Sequence, residues 1–524
     1  MIKDKIQKFN ILKNYEINFN ENIASFKATS SSIVEISNDL YYKNDFSLKL
    51  ITATDERQES GCFKLWYIFG SKEENFFIIP FVEVSDNFEF VSISLLINEA
   101  SKYESRIENL FGLKAINHDN QKSIVLHENW PKDLFPLRKD FDWKNRPKIA
   151  LNNLHSFHKV KGEGIYEISV GPIHAGIIEP GHFRFSVMGE SIVRLEPMLG
   201  FTHKGSEKLF EILPLEDKIK LSEKISGDSS FAHSLAFCQA LEKLNNTDVP
   251  KRALYLRVIY SELERLANHF GDIGAIMTDA GFNFGGSQGG RLREIVMQIN
   301  ERLTGSRFLR GVNVISGVTK DIKDIEKEYL NNKLEFILKD FQEVLDIAFN
   351  STSLLNRLEG TGFLSLDISK KHGITGLAAR SLGILNDTRL QYPYGAYTDL
   401  FVDKIIENKG DVLARFKVRT REVFSSINII KEALTKLSKG EINITDLAIN
   451  FKKNDFSISI VEGWRGDIVY FIKTDQNGLI SRVSPRDPSF VNWGLMRDAV
   501  LNNIIPDFPL INKSFNLSYS GNDL

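Results

Sequence analysis

The chain has 524 residues, 42% hydrophobic and 26% charged, an ordinary globular balance with room for two or three domains. Its 66 Lys and Arg against 68 Asp and Glu give a formal net charge of −2, and no basic stretch is interleaved with aromatics, which argues against a nucleic-acid partner. Two cysteines, Cys62 and Cys238, exclude a disulfide framework and a four-thiolate iron–sulfur cluster held by this chain alone, and they fit a reducing compartment.

The opening Met1-Ile2-Lys3-Asp4-Lys5-Ile6 lacks the apolar centre of a signal peptide. No run of about 18 apolar residues occurs, so no bilayer-spanning helix is predicted and membrane association is expected only through partner proteins. Residues 1–145 read as a small α+β domain. Residues 76–82 and 90–96 are rich in β-branched and aromatic side chains, as strands are. Residues 97–111 read as a helix, with apolar positions broken by Lys102, Glu104, Arg106 and Glu108. A polar linker containing Pro147 and Gly162 is predicted at 146–163.

Residues 164–524 change character. A strand at 165–170 leads into a Gly-Pro turn, and a second strand-like run follows at 182–188. Beyond about residue 206 the chain reads as mostly helical. Ile259, Leu263, Leu266, Phe270, Ile273 and Met277 recur at spacings of three and four, marking the buried face of a helix over 257–277. Residues 323–358 read as another long helical stretch. Residues 281–290 read as a glycine-rich loop, but without a dinucleotide or phosphate-loop motif, so no nucleotide site is expected.

The chemistry-bearing residues cluster first at 224–234. If this stretch is helical, Ser226, Ser229 and His233 fall on one face. The plain reading is two small residues allowing close packing beside a hydrogen-bonded core histidine. The segment also resembles the Arg-x-Cys-Gly-x-Cys motif of NiFe-hydrogenase large subunits, which is followed by a histidine four residues on. Gly227 and His233 match, and serines stand at both cysteine positions. Near the C-terminus, Ser518 and Gly521 fall where the second Cys-x-x-Cys of that family stands. Nickel in such sites needs soft thiolates, which serine and glycine do not supply.

Other motifs carry the same resemblance. Gly171-Pro172-Ile173-His174 with Glu179-Pro180-Gly181-His182 is similar to the glycine-rich hairpin of the energy-converting hydrogenases. Gly200-Phe201-Thr202-His203-Lys204-Gly205, with Glu207 and Lys208, resembles a motif of complex I component D, the hydrogenase-like protein of that enzyme. Glu262-Leu263-Glu264-Arg265 with Asn268-His269 resembles the long helix of the same protein, and Arg486-Asp487-Pro488 a late family motif. Residues 103–112 and 130–140 look like complex I component C.

The resemblance therefore implies a C–D fusion with an α+β fold: a small α+β domain, then a mainly helical hydrogenase-large-subunit-like domain that begins with a β-hairpin. It implies a peripheral protein on the cytoplasmic face of the cytoplasmic membrane. Its partners would be a small iron–sulfur subunit and membrane subunits similar to complex I component H and to antiporters. No cofactor is expected on this chain; iron–sulfur clusters belong to the partner, and a quinone is compatible with the family. His174, Glu179, His182 and His233 are candidates for a proton relay or pocket, and Ser226, Ser229, Ser518 and Gly521 are vestigial ligand positions. Phe201, His203 and Glu207 complete the pocket; Phe201 stands where relatives carry a quinone-associated tyrosine, and Glu207 where some help to hold magnesium. Three roles stay open: an ion-translocating subunit without nickel–iron chemistry, a quinone-reacting subunit, and a true hydrogenase large subunit.

Overall fold

The computed structural model describes residues 6, 8–85, 87–118, 124–144, 146–149, 155–176 and 178–524. The first five residues, part of the expected linker and Ile177 of the hairpin lie outside the described residues.

The N-terminal part is built on a five-stranded sheet in the order β1-β2-β5-β4-β3, formed by β1 (Asn18–Asn20), β2 (Ile23–Ala28), β3 (Phe46–Glu56), β4 (Cys62–Ser71) and β5 (Phe77–Val84). β2 and β5 are parallel, and the other pairs are antiparallel. The strand expected at 90–96 is much shorter, β6 (Glu89–Val91). Its continuation turns because Glu104 captures it: the carboxylate accepts the Ile93 amide at 2.8 Å and the Ser92 hydroxyl at 2.5 Å. Glu104 belongs to α1 (Ala100–Phe111), which ends at Gly112 with φ +68°, the left-handed conformation that closes many helices. β7 (Lys114–Ile116) then pairs with β6.

Three antiparallel strands follow, β8 (Ile165–Val170), β9 (His182–Met188) and β10 (Ser191–Met198), with β9 central. The helical part begins with α2 (Ser206–Ile212), α3 (Ser230–Leu244), α4 (Lys251–Asp279) and α5 (Asn283–Thr304). The glycine-rich stretch is thus the first turns of α5, not a loop. Its glycines serve helix packing: a Cβ on Gly289 would stand 2.5 Å from the Cα of Gly274 on α4. A two-stranded pair, β11 (Asn313–Val314) and β12 (Gly317–Val318), precedes α6 (Asp324–Phe349). The long helix expected over 323–358 breaks after Phe349, where the Ser351 side chain caps a separate helix, Thr352–Leu358.

After α7 (Val412–Lys436) comes an element that the sequence reading missed, an antiparallel sheet of β13 (Phe456–Glu462), β14 (Asp467–Thr474) and β15 (Ile480–Arg486). It lies between two cores. On β14, Ile468, Tyr470 and Ile472 join the large core of the helical part, whereas Val469 and Phe471 join the core of the N-terminal part. Trp66 of β4 packs on Phe456 and Phe471, with ring centroids 4.9 and 5.4 Å apart. A short helix, α8 (Tyr519–Asp523), follows and is buried.

Candidate functional site

The helix expected across 224–234 begins only at Ser230. Ser226 to Ser229 form a turn closed by the Ser229 amide on the Ser226 carbonyl at 3.0 Å. Ser226, Ser229 and His233 therefore do not share a helix face, yet all three are buried in the same neighbourhood. What joins the two serines is Arg465, at the tip of the β13–β14 hairpin. Gly463 and Gly466 exchange backbone hydrogen bonds of 2.9 and 3.2 Å across that tip. Gly466 holds φ +145° and presses so closely on Gly376 that a Cβ there would lie 2.8 Å from the Gly376 Cα. The turn is consequently open to glycine and little else.

The Arg465 guanidinium makes a bidentate pair with Asp228, 2.6 Å to each oxygen. One nitrogen also donates to the hydroxyls of Ser226 and Ser229, 3.3 Å each, and Nε donates to the Asn516 carbonyl at 2.5 Å. Burial would raise the Asp228 carboxyl, but the facing guanidinium outweighs it and holds it below the usual range. A fixed cation thus sits against both serines of the first ligand pair.

His233 is fully buried and bonds at both ring nitrogens. Nε2 lies 3.0 Å from the Asp487 carboxylate, and Nδ1 lies 3.1 Å from the Tyr470 hydroxyl. Burial works against the Asp487 charge, but the His233 hydrogen bond and the nearby Arg465 bring the carboxyl down to about 2. An ionised Asp487 accepts from Nε2–H, which leaves Nδ1 to accept the tyrosine proton in neutral imidazole. The result is a buried phenol–imidazole–carboxylate chain, able to hold or pass a proton.

Ser518 and Gly521 reach the same place from α8. Ser518 Oγ accepts the Gly521 amide at 2.9 Å as a helix cap, and its own amide donates to Ser489 Oγ at 2.9 Å. A Cβ on Gly521 would stand 2.6 Å from Cγ of Asp487, so the carboxylate fills the space that a side chain there would need. The four vestigial positions thus offer three hydroxyls and no fourth donor, around an arginine and an aspartate. That set does not fit a nickel–iron centre, which depends on thiolates.

The remaining expected residues lie around this centre with other partners. Glu179 is exposed rather than buried; its carboxylate accepts the Tyr519 and Ser520 amides, 3.1 Å each, at the start of α8. His174 donates to the Gly181 carbonyl at 2.8 Å and His182 to the Gly171 carbonyl at 3.2 Å, so both rings brace the hairpin. His203 donates to the Asp523 carbonyl at 2.8 Å, and burial lowers its pKa. Phe201 turns its ring edge-on to His127, with centroids 4.6 Å apart. Glu207 does not stand in a metal-ligand set: it is clamped between Arg106 of α1 and Arg482 of β15, the latter at 2.6 Å. Burial opposes its charge, but the two guanidiniums together depress its pKa.

Asp228, Arg465 and Tyr470 were absent from the sequence expectation, although Gly-Trp-Arg-Gly between two β-like runs is a hairpin signal. Glu264 was also unassigned. Fully buried on α4, it accepts the Phe231 and Ala232 amides at 2.7 and 3.1 Å, at the start of α3. Burial, with Asp228 nearby, pushes its carboxyl up to about 8 despite those bonds. The opposite side of α4 carries a second polar cluster. There Glu262 accepts from Arg265 at 3.1 Å, Arg389 at 3.0 Å, Ser426 at 2.6 Å and Tyr397 at 2.5 Å. Glu422 accepts from Arg380 and His269, 2.8 Å each, and Arg389 also chelates Asp387.

Comparison with known proteins places this geometry. Residues 26–147 match the respiratory-chain NADH dehydrogenase 30 Kd subunit family, and residues 287–459 the 49 Kd subunit family of the same enzyme. The chain is 30% identical to formate hydrogenlyase subunit 5 of Escherichia coli (strain K12) over 93% of its own length and 87% of that protein. It is 30% identical to hydrogenase-4 component G of the same organism, over 92% and 85% of the two chains. It is also 30% identical to NADH-quinone oxidoreductase subunit 4 of Thermus thermophilus, over 66% of this chain and 91% of that one. A 30 Kd-like part and a 49 Kd-like part in one polypeptide, aligned almost end to end with the two Escherichia coli proteins, make this chain a member of the family of fused large subunits to which formate hydrogenlyase subunit 5 and hydrogenase-4 component G belong.

Proposed function

We propose that the chain is the peripheral large subunit of a membrane-bound, ion-translocating oxidoreductase complex related to the energy-converting hydrogenases, and that it works without nickel–iron chemistry. The observation that carries this reading is the Arg465 guanidinium bonded to both Ser226 and Ser229, beside the Tyr470–His233–Asp487 chain. Together they offer a polar centre suited to protons rather than to a redox metal. Glu179 holds the α8 segment over that centre, and His174 and His182 stiffen the hairpin that brings Glu179 there.

The partners of this reading are a small iron–sulfur protein, which carries the clusters, and membrane proteins similar to complex I component H and to antiporters. Among the described residues no helix is long and apolar enough to cross a membrane, so these partners would hold the chain at the cytoplasmic face. The division of labour follows the chain: 1–145 as the 30 Kd-like part, 146–163 as linker, 164–524 as the 49 Kd-like part. A second reading, reaction with quinone, is favoured by the likeness to a quinone oxidoreductase subunit. Against it, Phe201 has no hydroxyl to offer a quinone oxygen.

The test uses the complex isolated from native membranes through a tag on this chain. No stoichiometric nickel is expected, and about one nickel per chain would overturn the reading. Stoichiometric quinone would favour the second reading. His233→Gln and Glu179→Gln, made separately, are expected to assemble and to lose ion transport. If both assemble and transport as wild type, the centre is packing and nothing more.

A further inference from the structure

A cavity of about 610 Å3 opens between α1, β10 and the stretch that carries Trp493 and Arg497. Small-molecule sites commonly run to about 300–1,000 Å3, so it has the size of one. It stands apart from the Tyr470–His233–Asp487 chain, although Trp493 and Asn522 line its floor.

Its charged groups are unequally satisfied. On the acidic side, Glu128 pairs with His155 at 2.5 Å, and Glu196 accepts the His158 amide at 2.9 Å. On the basic side stand Lys102, Arg194 and Arg497. Both arginine side chains reach solvent, and neither makes a hydrogen bond or ion pair among the described residues, although the Glu196 and Asp498 carboxylates lie near Arg497. Lys102 donates to the Phe490 and Val491 carbonyls at 3.0 and 3.4 Å, neutral acceptors that leave its charge uncompensated. Burial, then the repulsion of Arg497, lowers its pKa to about 7. Cations that repel one another in one concave wall, with no carboxylate hydrogen-bonded to them, favour an anion that bonds to them. Leu195, Met198, Leu199, Leu501 and Trp493 supply an apolar wall.

We infer that this cavity binds an amphipathic organic anion, whose carboxylate or phosphate oxygens engage Arg194, Arg497 and Lys102 and whose apolar body lies against Trp493 and Leu501. The guanidiniums match either head group, because both present paired oxygens to the planar fork.

Calorimetric titration of the full chain, purified with whatever partners it retains, tests this with octyl phosphate, octanoate and inorganic phosphate. At least one amphipathic probe is expected to bind, and more tightly than inorganic phosphate. Whichever of the two binds tighter identifies the head group. Arg194→Gln combined with Arg497→Gln should weaken that binding by about tenfold or more with the melting temperature unchanged, since both side chains are exposed. Should the pair fail to fold, Arg194→Gln alone carries the test. The inference is overturned if neither amphipathic probe binds at about 10 mM. It is equally overturned if inorganic phosphate binds as tightly, or if the arginine variants bind as wild type.

Discussion

The two faces of α4 show two ways to bury charge. On one, Glu262, Arg265 and His269 enter a lattice in which Arg265, Arg380 and Arg389 meet Glu262, Glu422, Glu462 and Asp387. Burial opposes the Glu262 charge, yet Arg265 and Arg389 bring its carboxyl down to about 2. On the other, Glu264 has only backbone amides as donors and rises to about 8, while Asn268 reaches the Asp228 carbonyl. A guanidinium does not give up its proton near neutrality, so the lattice is fixed scaffolding. On the face toward the serines Glu264, without a cationic partner, is instead a carboxyl that can change its charge near neutrality.

If that contrast is right, the largest effect belongs to the lattice. Arg389→Met removes the bidentate partner of Asp387 and one of the two guanidiniums on Glu262, leaving two buried carboxylates with less compensation. It is expected to cost about 3–5 kcal/mol in denaturant unfolding. A loss below about 1 kcal/mol would mean that the lattice is not scaffolding. Gly521→Ala sharpens the other side: its methyl group meets Asp487, so a loss of up to about 3 kcal/mol is expected, together with a disturbed His233 resonance. Gly290→Ala is the control; its Cβ meets nothing on an exposed turn of α5, so it should be neutral or slightly stabilising. Equal effects of the two substitutions would remove the argument for crowding at Asp487.

The smallest expected loss is one of pH. The Asp487 carboxyl is depressed to about 2 from its ordinary 3.8. Its contribution is therefore complete above about pH 4 and lost as pH falls through about 2, amounting to about 2 kcal/mol. Asp487→Asn should flatten the acid limb of the stability curve in that window. An unchanged limb would detach Asp487 from His233.

Much of this architecture was readable in advance where one face meets a core and the other meets solvent. Residues 165–170 and 182–188 are the strands β8 and β9, and β9 buries Phe183, Phe185 and Val187 while Arg184 and Met188 keep access to solvent. The apolar spacing from Ile259 to Met277 lies within α4. β14 was not readable because its alternation separates two cores instead of core from water, so every residue is buried and no polar face shows. The helical glycines of α5 misled for a related reason: their signature reports the close approach of α4, not a turn. At the site, the serines and Gly521 were singled out by the ligand positions on which they fall, and His233 by its match to the same motif. Arg465 was not, because it comes more than 200 residues later, and only the β13–β14 turn brings it to them.

The tie made by Glu207 has a further consequence for how such a chain can be divided. One carboxylate joins Arg106 of the N-terminal part to Arg482 of the last sheet, and across the same two parts Trp66 packs on Phe456 and Phe471. Such a contact resembles the interface of a permanent heterodimer, with an aromatic centre and a buried ionic key that sets the register. In the fused chain the peptide connection need not supply the grip between the two parts. It supplies equal stoichiometry and a high local concentration during assembly.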